Sequence, residues 1–508
     1  NDNGYGVFLN HVSGATVQNN LVGLAGDGVT ALPNGDNGIH LFGNSSGNLI
    51  GGDRTAGEGN VISGNDLYGV GLVGPGVTGN TLCGNIIGLD AFQGTAVGNG
   101  TGVRVDEASG NAIGLPQSGY ENIVSGNGSG YGIRFTDTAR NNLVRNNWIG
   151  LSDTDAAFPN QNGVCINDGR GNVIGGDRMA TPLARNIISG NSDADVLLTT
   201  DAVGNTICGN IIGLDTAATA AVSSGGDGMR IYGSGNLIGG VSDAGQARGN
   251  IVSGHANGNG IGISLGGGEG NTLAGNTIGL NAAGTPVPNY YGININSGSG
   301  HTCIGGSQPG LRNVISGNTR DGIRIFANSG PTRGHVIIGN YIGLAPSGNA
   351  TVNNPNNEPA VSLYEAYDCI IGGAAPGRGN YITGYQQGIR LSGNAAGNTV
   401  VGNVIGLHAD LSPSSHPPAT GIEVYAPDNT MGVRNSGQGN LIAHGDYGIA
   451  VQGSSAVRNG LFGNTICAFA TSGIQLAFGG NNDKAAPAVT SANTGEVRGA
   501  SGAGDPIE

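Results

Sequence analysis

Apolar residues in this chain come in bursts of four or five, alternating with polar ones and fenced by Gly and Asn. The stretch Val103-Arg104-Val105-Asp106 is typical. Alternation with period two over so short a run, rich in Ile and Val, predicts β-strands. No segment carries a 3.6-residue apolar stripe over ten residues, so α-helices are expected to be nearly absent.

The bursts repeat. An IGL-like element ends at Leu24, Leu89, Leu151, Leu214, Leu280, Leu344 and Leu407, at intervals of 62–66 residues. A second motif alternates with it: NVISGN from Asn60, NIVSGN from Asn122, NIISGN from Asn186, NIVSGH from Asn250, NVISGN from Asn313 and NYITGY from Asn380. A third, Gly-apolar-x-apolar, occurs in both halves, as GIHL at Gly38, GVRV at Gly102 and GIRF at Gly132, with degenerate copies DVLL at Asp195 and AVSL at Ala360. The unit is therefore about 31 residues, repeated roughly sixteen times and alternating in a super-repeat of about 64. A fixed period of this length signals a solenoid.

Three short strands per unit, with alternate residues inward, describe one rung of a parallel β-helix. Sixteen rungs at the usual strand spacing make a rod of about 75 Å. A rung cannot bury its own apolar side chains, so copies stack until the column is continuous. The Asn of each GN turn is expected to take a left-handed φ and hydrogen-bond its stacked neighbour.

These residues resemble right-handed parallel β-helix repeat proteins, the pectate-lyase-like superfamily in broad terms. The spelling NLIGG…GNVISGN…GI-x-L…GNT-x-x-GNxIGLDA is more closely similar to repeat tracts of large bacterial surface and secreted proteins. The likeness covers residues 1–480 and is specific for fold rather than activity. It implies that Gly-apolar-x-apolar is the first strand (PB1), the TLC snippet the second and IIGL the third. It also implies that any glycan lies on the PB1 face, walled by loops such as Asp90–Thr101. Residues 481–508 leave the pattern and read as a linker and the start of a following β domain. The chain reads as one section of a longer polypeptide without caps.

Composition narrows the partners. The net charge of −14 opposes nucleic acids and anionic membranes. No apolar run reaches the ~18 residues of a membrane helix, so no membrane insertion is expected. Six cysteines, Cys83, Cys165, Cys208, Cys303, Cys369 and Cys467, are out of phase with one another, which predicts buried free thiols. The eight histidines form no zinc-ligand spacing.

Chemistry is sought on the outward PB1 positions. Glu107, Asp137 and Asp168 follow PB1 on three successive rungs, beside Asp106, Arg104 and Arg134. Stacked carboxylates raise one another's pKa or recruit a hard cation such as calcium, with Glu107, Asp137 and Asp168 as its ligands. Catalysis, if present, falls to Asp106, Glu107, Asp137 and Asp168, assisted by Arg104 or Arg134, as in a polysaccharide lyase or glycoside hydrolase. The bland alternative is a solvated turn neutralised by the two arginines, at under ~1 kcal/mol per pair. A second row, Arg230, Tyr232, Arg324, Phe326, Tyr364, Glu365, Arg390 and Tyr425, has the residue types that contact carbohydrate.

The leading expectation is a bacterial extracellular or cell-surface rod serving adhesion or spacing, with a lateral face able to contact glycan and no cofactor required. Regularity carries it: an enzyme usually breaks its repeat at one place to build a pocket. The alternatives are the lyase or hydrolase, and a filament built by end-to-end or lateral self-association.

Overall fold

The computed structural model describes residues 4–177, 181–222, 225–242, 245, 248–263, 268–328, 330–354, 356–434, 438–483, 488–493 and 496–500. Among them are three parallel sheets of 17, 15 and 15 strands, four short 3-10 turns and no α-helix. The chain is a parallel β-helix of about sixteen rungs with three strands each. The 17-stranded sheet is PB1, running from Val7–Asn10 to Ser472–Ala477. One rung illustrates the order: Tyr68–Val73 in the first sheet, Thr81–Cys83 in the second, Ile86–Ile87 in the third.

Register keeps like residues stacked. Val103 lies opposite Val70 and Ile133, and Ile133 opposite Val164, all fully buried. One apolar column, from Leu9 to Ala456, fills the coil. Phe135 is its largest fully buried side chain. Each rung removes the apolar side of the next from water, worth roughly 25 cal/mol per Å².

The 64-residue super-repeat has a physical cause. Ser63 of the NVISGN half donates to Leu89 O of the following IGL half and accepts from Gly88 N. The same link joins Ser125 to Leu151, Ser189 to Leu214, Ser253 to Leu280 and Ser316 to Leu344. The long loop after each such Leu folds over the outer face of the third sheet. There Leu89 packs with Ile86 and Ile123, and Leu214 with Ile187, Ile211 and Leu151. Successive loops reach across the intervening rung and touch, as in Gln93 Nε2 donating to Asp153 and Thr216 N to Asp155. The loops therefore cover the third sheet, and this corrects the expectation that they wall PB1.

Three columns of Asn run along the corners. The longest is unbroken from Asn20 through Asn122, Asn147 and Asn186 to Asn464, each Nδ2 donating to the next Oδ1 at 2.8–3.1 Å. The left-handed residue of the GN turn is the Gly rather than the Asn: Gly84 has φ +66°, and a Cβ there would sit 1.9 Å from Gly52 O. Asn takes that role only where Gly is missing, as at Asn19 and Asn146.

A second column runs from Asn48 to Asn271 and resumes at Asn398. His335 lies in the gap, where burial and then His301 push its imidazole down to about 4. The third column, from Asn34 to Asn191, continues through two unlike residues. Asn191 Nδ2 donates to Asp195 Oδ1 at 2.7 Å, Asp195 Oδ2 lies 2.9 Å from His255 Nε2, and His255 Nδ1 meets Asn289 Oδ1 at 3.0 Å. Both side chains are wholly buried.

All six cysteines are free. Burial raises Cys83, Cys165 and Cys369 to about 12, so these thiols are poor nucleophiles. Cys303 is half-buried and Cys467 exposed, against the expectation of burial. Cys467 belongs to Thr465–Cys467, the last strand of the third sheet, which has no further strand above it among the described residues. For the same reason Ile474, an inward position of the last rung, is 48% exposed. After Gly480–Asp483 the strands Ala488–Asn493 and Glu496–Ala500 pair antiparallel, outside the coil's pattern.

Candidate functional site on the PB1 face

The acidic residues lie on the outer side of rungs four to six, and the structure brings part of the set together. Arg104 and Asp106 alternate outward from Thr101–Asp106 between buried Val103 and Val105. The strand ends at Glu107, whose φ of +55° turns it out of the sheet; Asp137 has φ +48° one rung on. Asp106, Glu107 and Asp137 line a shallow groove of about 490 Å³ together with Phe42, Val73 and Pro75.

Arg104 is the counter-ion. Its Nη2 lies 2.7 Å from Asp106 Oδ2 and 3.5 Å from Asp137 Oδ2. Its Nη1 donates to the Tyr68 hydroxyl, and the guanidinium lies over the Tyr68 ring at 5.1 Å. Burial first, then the neighbouring Asp137 carboxyl, raises Asp106 from its ordinary value against the pull of Arg104. The Arg104–Asp137 contact adds little, since Asp137 is 63% exposed.

Asp168 does not join the stack. Phe135 pairs with Ile166 and Ala139 with Gly169, so three residues on one rung oppose two on the next. A second irregularity, between Ile166 and Asp168, sets Asp168 against Asp201 of the following rung. Arg134 turns away as well, its Nε donating to Asn167 and its guanidinium lying over Tyr131. Among the described residues no group of three His, Cys, Asp or Glu is arranged to hold a metal ion, so the Glu107–Asp137–Asp168 calcium set is not assembled.

The aromatic and Arg row divides into pieces. Arg230 is held by Asp227 at 2.9 Å and Asp193 at 3.0 Å, and with half-buried Tyr232 it lies three rungs before Arg324. Arg324 lies 4.0 Å from the Phe326 ring and 4.9 Å from that of Tyr291. Phe326 stacks on Tyr364, its register partner, at 4.8 Å and 22°. Arg320 lies over Tyr290, and Tyr290 meets Tyr291 edge-on. Further on, Arg390 bonds Glu423 at 2.8 Å, and the Tyr425 hydroxyl donates to the same carboxylate. Glu365 turns out of its strand with φ +54° and accepts from Asn394 and Tyr367.

Two features escaped the reading by pattern. Asp321, 5% exposed, is pushed up to about 6 by burial, although Ser362 donates to it. Its signal was an acid directly before the PB1 glycine (DGIRIF), where most rungs carry Tyr, Thr or Asn. The second is a stack of Tyr5, Phe8, His40 and Phe42 on the first two rungs, with centroids 4.5–5.9 Å apart.

No protein-family model and no curated protein matches this chain. Similar solved structures include an alginate lyase from Paenibacillus sp. str. FPU-7, 15% identical over 63% of this chain and 98% of that one, with a TM-score of 0.32. PfbA, a surface adhesin of Streptococcus pneumoniae, is 11% identical over 92% of this chain and 83% of its own, with a TM-score of 0.24. The tailspike protein of E. coli bacteriophage HK620, in complex with a pentasaccharide, is 13% identical over 85% and 72%, with a TM-score of 0.25. At these identities and scores no residue's role passes from them to this chain.

Proposed function

We propose that the chain is a β-helical rod of an extracellular or cell-surface protein that contacts carbohydrate through its PB1 face. The observation that carries this is the concentration of Tyr290, Tyr291, Arg320, Arg324, Phe326 and Tyr364 on three successive rungs, in a chain only 5% aromatic. Aromatic rings backed by guanidinium groups suit sugar C–H faces and hydroxyls. The rod supplies a stiff scaffold, and the long loops after the IGL elements pack on the third sheet rather than on this face. Affinity electrophoresis through gels cast with neutral and acidic polysaccharides tests the reading. At least one polysaccharide should retard the protein, and Arg324→Ala/Tyr364→Ala should weaken retardation at least tenfold. Free passage through every gel would overturn it.

A lyase or hydrolase is the second reading, favoured by the raised carboxyl of Asp106 beside Asp137 and Glu107. Its signature would be turnover of a glycan, with or without calcium, abolished by Asp137→Ala. The same variant leaves a purely adhesive rod unaffected.

A further inference from the structure

The outward column Asn296, Phe326, Tyr364, Ser392, Tyr425 can be read ring by ring for the faces still open. Phe326 has none: Arg324 covers one side at 4.0 Å and Tyr364 the other at 4.8 Å. Tyr364 is 38% exposed, and with one face on Phe326 its other face is turned toward the next rung. That rung offers no ring. Ser392 is the register partner of Tyr364, and the following residue, Gly393, also lies beside the tyrosine ring. One rung further the column becomes aromatic again at Tyr425, whose backbone N donates to Leu391 O and which is 37% exposed. Two aromatic side chains thus flank a single missing ring, two strand spacings or about 9.6 Å apart. A saturated six-membered ring stacked between two aromatic rings needs about 8 Å, at carbon–carbon separations of about 4 Å on each side.

We propose that the gap above Ser392 is a binding slot for one neutral hexopyranose ring, clamped between Tyr364 and Tyr425. The proposal deepens the carbohydrate reading and rests on it. Charge sets the class of sugar. Arg390, two residues before Ser392 on the same strand, has its guanidinium committed to Glu423 at 2.8 Å, and Glu365 lies beside Gly393. No uncommitted cation faces the opening among these residues, so a uronate carboxylate would meet net negative charge, whereas sugar hydroxyl groups find an acceptor in Glu365. Selection of a neutral ring follows from that balance together with the spacing.

The test fills the slot. Ser392→Phe completes the aromatic column and should stack as Phe326 does on Tyr364, leaving the thermal midpoint unchanged or higher. Calorimetric titration uses gluco-, galacto- and manno-configured hexasaccharides, with oligogalacturonate and oligomannuronate as acidic counterparts. The protein should bind at least one neutral hexasaccharide at least tenfold more tightly than either acidic one. Ser392→Phe should weaken that binding at least tenfold, and Tyr425→Leu, which opens one side of the clamp, should do the same. Equal affinity in Ser392→Phe and the unaltered protein, or preference for the acidic ligands, would overturn the slot and leave the carbohydrate reading standing. Absence of binding to every oligosaccharide and to every polysaccharide gel would remove both.

Discussion

Replacing His255 by alanine should lower stability by about 3–5 kcal/mol, the range for breaking a buried acid–base pair by removing one partner. The third Asn column explains the size of the effect. Asn289 commits its amide nitrogen to Val252 O and Asn318 Oδ1, so its oxygen must accept from His255 Nδ1. With that nitrogen donating, Nε2 faces the Asp195 carboxyl across 2.9 Å, and one proton is held in the contact. Alanine would take the imidazole donor from two fully buried side chains, leaving Asp195 the Asn191 amide and Asn289 the backbone N of residue 255. Asp195→Ala/His255→Ala removes the carboxyl together with its donor and should be less destabilised than the sum of the single variants, with a coupling of about 1–3 kcal/mol. Denaturant unfolding of the four proteins in the cycle measures it, and strict additivity would mean that the two residues act independently.

Asn147→Ala should cost a similar amount, about 3–5 kcal/mol, through a different route. The Asn147 amide accepts from Asn122 at 2.8 Å and donates to Asn186 at 2.9 Å and to the carbonyls of Ile113 and Arg145. Two or three buried groups lose a partner at once, at roughly 1–3 kcal/mol each. Because the column joins successive rungs, faster hydrogen exchange should spread to the turns at Asn122 and Asn186. Asn349→Ala, on an exposed turn, is the control and should change stability by under about 0.5 kcal/mol. Exchange confined to the Asn147 turn would show that the column does not couple the rungs.

The coil was legible because its causes are local and repeated: alternation in Val103–Asp106, the 31-residue period and the GN turns all point to one rung geometry. The paired irregularities were legible only in part. DVLL at Asp195 is a degenerate copy, whereas NIVSGH from Asn250 reads as an ordinary one, and with 60 residues between Asp195 and His255 only stacking shows that the carboxyl meets the imidazole. The loops were misplaced because Leu89 and Leu214 give no sign in the chain of which sheet they cover. The acidic set failed at Asp168 for a similar reason: a one-residue bulge shifts a side chain without altering the hydrophobic pattern. The PB1 rings were visible as residue types, but which of their faces remain open depends on Arg324 and Ser392 in space.

Rungs stack at a constant step, with Phe42 and Tyr364 in one outward column on the second and twelfth rungs. Spin labels at Phe42→Cys and Tyr364→Cys, with Cys303 and Cys467 replaced by serine, measure that step directly by pulsed dipolar spectroscopy. Ten strand spacings predict a single narrow distance near ~48 Å. A distance below ~35 Å, or a broad distribution about any mean, would contradict the coil.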